Sequence, residues 1–160
     1  MTKHKTYTEA ELNEILRNHK HWLDKDVEGW TDMRADLTGA DLSGAKNPPY
    51  IPMSCPDTGA FIAWKKARRK IVKLLIPEDA RRSSATGRKC RCDKAQVLAI
   101  QNRDGSDAKV NSVASGRDKD FVYTVGETVT VPDFCEDRFR ECAAGIHFFI
   151  NRQEAVEYGG

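Results

Sequence analysis

The chain has 160 residues, 39% of them hydrophobic and 31% charged, with 26 Lys/Arg against 24 Asp/Glu and a formal net charge of +2. That balance excludes wholesale disorder, and the length suffices for one compact domain with a small appendage and an unstapled core. No apolar run approaches the ~20 residues of a membrane-spanning helix, and the N-terminus lacks an apolar signal segment, which predicts a cytoplasmic protein.

A helix is predicted first. Thr8 and Glu11 form a capping-box pattern, and Leu12, Ile15, Leu16, His19 and Leu23 follow as a helical stripe with Trp22 beside it. His4, His19 and His21 fit no ligand pair at helical spacing and are expected at the surface. Ala35-Asp36-Leu37-Thr38-Gly39 is then repeated as Ala40-Asp41-Leu42-Ser43-Gly44. This five-residue period resembles the pentapeptide-repeat family, whose units wind a four-sided β-helix. Two units are half a coil, so the remnant must lean on a neighbour. These features define an N-terminal segment, 1–45.

Residues 46–58 hold four prolines (48, 49, 52 and 56) and read as a linker to a domain spanning 59–160. In that domain 60–64 and 71–76 read as strands joined by a basic turn, and 95–100 as another strand. Residues 102–119 read as a polar loop. Segments 121–125 and 128–131 are expected to form a hairpin around Gly126-Glu127, and the apolar run 145–150 a central strand. Asn151 should cap a final helix, with Glu154 at the capping-box position. The expected fold is α+β: an N-terminal helix, a short repeat remnant, then a curved, mainly antiparallel sheet with a C-terminal helix.

Charge is concentrated between residues 64 and 94. Twelve Lys/Arg stand there against Glu78, Asp79 and Asp93. Within the stretch, Arg81, Arg82, Ser83, Ser84, Thr86, Arg88, Lys89 and Arg91 mix guanidinium forks with hydroxyls, a composition suited to phosphate. The spacing is not that of a P-loop. Trp64 with Lys65 and Lys66 offers a stacking surface beside charge, although an indole ending an apolar run is more often core. Strand alternation turns His147 away from Ile146 and Phe148, either toward a ligand or into a hydrogen-bonded core position. Together with Phe149 and Tyr158 it is similar to the nicotinamide-pocket strand of ADP-ribosyltransferase-like folds, but no catalytic set accompanies it.

The five cysteines (55, 90, 92, 135 and 142) are expected as free thiols. Cys90, Cys92, Cys142 and His147 could be gathered around zinc, but no second paired motif completes a tetrahedral set. No metal and no cofactor is called for.

The segments 55–67, 76–98, 123–129 and 142–158 resemble a family of phage and prophage proteins in which a pentapeptide-repeat leader precedes a C-terminal domain of unknown function. The resemblance implies an accessory, counter-defence role inside an infected or lysogenic bacterium. It carries no activity to transfer. The expected function is non-catalytic binding of a phosphorylated ligand, a nucleotide or cyclic-nucleotide signal. The alternatives are an ADP-ribosyltransferase-like enzyme, an inhibitor docking on a host nucleic-acid enzyme, and direct nucleic-acid binding. Self-association stays open.

Overall fold

The computed structural model describes residues 7–37, 42, 46 and 50–159. The chain divides into two compact units, Met1–Pro52 and Met53–Gly160.

In the first unit the capping box forms as its residues dictate. Thr8 Oγ1 accepts from the Glu11 N–H at 3.3 Å, and the Glu11 carboxylate accepts from the Thr8 N–H at 2.7 Å. Helix α1 (Glu9–Asp24) follows and ends where Lys25 turns left-handed at φ 54°. His19 is not at the surface, contrary to expectation: it is 2% exposed. Its ring stacks on Trp22 at 5.2 Å, Nδ1 accepts from the Ala35 N–H at 3.2 Å, and Nε2 donates to the Tyr50 carbonyl at 2.5 Å. With both ring nitrogens partnered, burial carries no unsatisfied polar group. The pentapeptide reading falls largely on 38–41 and 43–45, outside the described residues.

The second unit is built on three antiparallel sheets rather than one. Strands β1 (Phe61–Ala67), β2 (Lys70–Ile76), β5 (Lys94–Gln101) and β8 (Thr128–Thr130) form the first, in the order β1-β2-β5-β8. The second runs β3 (Arg82–Ser84), β4 (Cys90–Cys92), β9 (Ile146–Phe148). The third pairs β6 (Ser112–Ala114) with β7 (Val122–Thr124), so the polar 102–119 segment contains a strand. Helix α2 (Arg152–Glu157) closes the chain. The class is α+β.

The core gathers Ala63, Val72, Leu74, Ile76, Val97, Tyr123, Ile146 and Phe148. Cys55 lies in it too, and Ser54 donates its N–H to Ser84 Oγ at 2.8 Å, so residues 53–58 pack with this unit. Beyond β9, Phe149 exchanges two backbone bonds with Trp64, each 2.8 Å long, joining the second sheet to the first.

Two local expectations are corrected. Residues 124–127 do form a turn, but β7 and β8 do not pair with each other. The Gly126 N–H donates to Val97 O at 2.8 Å and the Val97 N–H to Glu127 O at 2.9 Å, so the turn docks on β5 and its arms part into different sheets. Asn151 caps α2 through the Gln153 N–H at 2.8 Å, while the Glu154 carboxylate goes to Arg88 at 2.8 Å rather than back to the cap.

Candidate functional site

A cavity of about 670 Å³ opens in the second unit. β1 supplies Lys65 and Lys66, and Arg68 follows at the β1–β2 turn in a left-handed conformation, φ 55°. Lys89 comes from the approach to β4, and Arg117, Asp118 and Phe121 from the segment between β6 and β7. Tyr123, Val131, Asp133, Cys142, His147 and Tyr158 complete much of the wall.

Alternation along β1 explains Lys65. Ala63 and Ala67, two residues to either side, are fully buried, so Lys65 points to the core face. Its stem is buried while its head reaches the cavity. Nζ donates to the His147 carbonyl at 3.0 Å and lies 5.8 Å from the Tyr123 ring centroid. Burial pushes this ammonium down to about 8, with the Arg117 and Lys89 charges acting in the same direction.

His147 stands opposite Arg91 in the β4–β9 register. Its Nε2 donates to the Glu141 carbonyl at 3.0 Å. Burial lowers the imidazole to about 4, so it is uncharged at neutral pH and lines the cavity as a polar wall.

Lys89 places Nζ 3.8 Å from Glu141 Oε1, 3.8 Å from Cys142 Sγ and 5.8 Å from the Tyr158 ring centroid. Lys66 donates to the Tyr158 carbonyl. Five cations (Lys65, Lys66, Arg68, Lys89 and Arg117) thus line the cavity, against the carboxylates Asp118 and Asp133. Among the described residues, no carboxylate comes within ion-pair distance of Lys65, Lys66, Arg68 or Arg117.

The basic 81–91 stretch does not form a common cradle. Arg81 pairs with Asp93 at 2.9 Å and Glu136 at 2.7 Å. Arg82 collects the carbonyls of Gly59, Pro77, Glu78 and Ala80 at 2.6–3.1 Å and packs over Phe61. Ser83 and Ser84 are buried, and Thr86 is half-buried. Arg88 is held by Glu154. Arg91, 2% exposed, donates to the carbonyls of Cys135, Asp137 and Arg140, and its Nε is buried without a partner. Lys89 alone of this set reaches the cavity.

Of the second candidate group, Lys65, Lys66, His147 and Tyr158 meet at the cavity. Trp64 and Phe149 do not line it. Phe149 packs on Tyr158 at 5.3 Å, and the Trp64 ring has Lys73 at 5.7 Å and Arg152 at 5.8 Å.

Cys90 and Cys92 flank Arg91 on β4 and are buried. The Cys90 thiol donates to the Arg88 carbonyl at 3.5 Å; the neighbouring Cys55 thiol and burial push it up, while burial pushes Cys92 up to about 12. Both are inert thiols near neutral pH. Among the described residues no three His, Cys, Asp or Glu side chains are grouped to hold a metal ion. No described helix is long and apolar enough to cross a membrane.

A family model described as a family of unknown function (DUF5758) matches residues 51–155, a span containing every lining residue named above except Tyr158. No curated protein and no solved structure matches the chain.

Proposed function

The chain belongs to the DUF5758 family, and we propose that it is a non-catalytic binding protein for a small phosphorylated ligand held in the 670 Å³ cavity. The observation that carries this is the cationic cluster facing the cavity, four of whose members lack a carboxylate partner among the described residues. Converging cations raise one another's free energy, and an entering anion relieves that repulsion. The volume lies within the ~300–1,000 Å³ range of small-molecule sites. Phe121, Tyr123 and Tyr158 add aromatic surface, which suits a nucleotide or cyclic nucleotide.

In a phage-borne accessory protein, sequestering a host nucleotide signal would require affinity and no turnover, in keeping with a site that pairs no general base with a nucleophile. Titration calorimetry against inorganic phosphate and a panel of mono- and cyclic nucleotides tests the proposal. Saturable binding weakened by Lys89→Ala and Arg117→Ala is expected. No heat with any of them would overturn it. A steep salt dependence with long DNA or RNA but none with nucleotides would move the assignment to a nucleic-acid surface.

A further inference from the structure

Lys65 differs from the other cavity cations in standing on the core face of β1, between the fully buried Ala63 and Ala67. Lys89 has the Glu141 carboxylate at 3.8 Å, whereas Lys65 Nζ, like Lys66 at the Tyr158 carbonyl, touches a neutral carbonyl, that of His147 at 3.0 Å, and among the described residues no carboxylate. A carbonyl accepts one N–H and holds the amine in place without requiring its positive charge. Phe121, Tyr123, Val131 and Ile146 supply apolar surface around the cavity, while Lys66, Lys89, Arg68 and Arg117 stand ready for an anion. A fixed amine within such a ring of anchors is the arrangement that Schiff-base chemistry requires.

We infer that the Lys65 amine captures the carbonyl carbon of a phosphorylated aldehyde or ketone as an imine, its phosphate held by the surrounding cations. This rests on the anion-binding assignment alone, and it assigns the same cavity a phosphorylated carbonyl compound in place of a nucleotide. The nitrogen lone pair adds to the carbonyl carbon, and proton transfer gives a neutral carbinolamine. Its hydroxyl leaves as water, and a C=N bond replaces C=O. One water is released, and nothing is oxidised or reduced. The capture is stoichiometric, consistent with a binding protein. The depressed Lys65 value of about 8 supports the step, because half of the amine is then free at that pH.

The test uses the full chain at pH 8 with pyridoxal phosphate as probe, borohydride reduction, and peptide mass mapping of every lysine. In parallel, inorganic phosphate binding is measured by calorimetry. The expected result is an adduct on Lys65 more than about tenfold above any other lysine, suppressed by excess phosphate. It should be absent in Lys65→Arg and retained in Lys109→Arg. If Lys65→Arg does not fold, the wild-type map decides alone. Labelling spread over surface lysines, or no adduct on Lys65 while phosphate still binds, overturns the imine and leaves the anion site standing. An adduct on Lys65 that phosphate does not suppress overturns the phosphate-anchored capture, and absence of binding by phosphate and by every nucleotide of the panel overturns the anion site and the capture together.

Discussion

A Cβ added to Gly145 would lie 3.1 Å from Cδ and 3.2 Å from Cβ of Arg91. The glycine also sits at φ +153°, where L side chains are strained. It passes over the buried arginine because it has no side chain to obstruct it. Gly145→Ala is expected to cost about 2–4 kcal/mol, from overpacking and backbone strain together. Urea denaturation should show a lower midpoint with an unchanged slope.

Arg91 and Arg82 are both carbonyl clamps, but they hold different parts of the unit. Arg91 gathers the carbonyls of 135, 137 and 140, in the loop that runs on to the cavity wall at 142–147. Arg82 gathers 59, 77, 78 and 80, none of which lines the cavity. Each change to Met should destabilise by about 1–3 kcal/mol, since partly buried carbonyls lose their donors. Only Arg91→Met should also weaken phosphate binding, which calorimetry on the two variants would separate.

Neighbours in sequence should behave oppositely at Arg88 and Lys89. Arg88 makes an exposed ion pair with Glu154, so Arg88→Ala should cost less than about 1 kcal/mol and leave phosphate affinity unchanged. Lys89→Ala removes a charged donor from the cavity and should weaken phosphate binding by roughly tenfold or more. Equal effects in the two variants would contradict this division.

Two half-buried cavity groups give opposite ends of the pH profile the same sign. His147 is held at about 4 against 6.5, so between those values the folded state binds fewer protons than the unfolded chain. Its contribution is fully present above about 6.5 and lost as pH falls through 4. Lys65, held at about 8 against 10.5, makes stability rise as pH climbs through that alkaline window, while affinity for phosphate declines above 8. His147→Gln should flatten the acidic limb of a midpoint-versus-pH curve, and Lys65→Met the alkaline limb.

Local rules made α1, β2 and β5 legible in the sequence, but β1 only in its first part: residues 65–67 read as the start of a basic turn, and the strand runs through them. The Thr8–Glu11 box is a contiguous signal, and the apolar runs of the long strands are self-evident. Among the short strands, β7 and β8 are legible as apolar runs but their partners are not, because these are set by where the 124–127 turn docks, and β6 is hidden in the polar 102–119 segment. The site was legible in half. Charge counting located the arginines of 81–91 but could not reveal that most donate inward to carbonyls and carboxylates. Lys65 carried a usable signal, its parity with Ala63 and Ala67. Arg117, in a Gly/Ser-rich segment, carried none.

The Trp64–Phe149 bridge fixes more than the seam between two sheets. A one-residue slip of β1 along it would turn Lys65 outward and present Trp64 to the core face, because side chains alternate. Opening of this reciprocal pair, together with the Lys65–His147 and Lys66–Tyr158 bonds, would leave the β1–β2–β5 ladder intact while freeing β9 and α2 from it, and with them one wall of the cavity. A bound ligand therefore opposes that opening by mass action. Amide hydrogen exchange at Trp64 and Phe149 would slow in step with occupancy, so two backbone protons outside the cavity report whether it is filled.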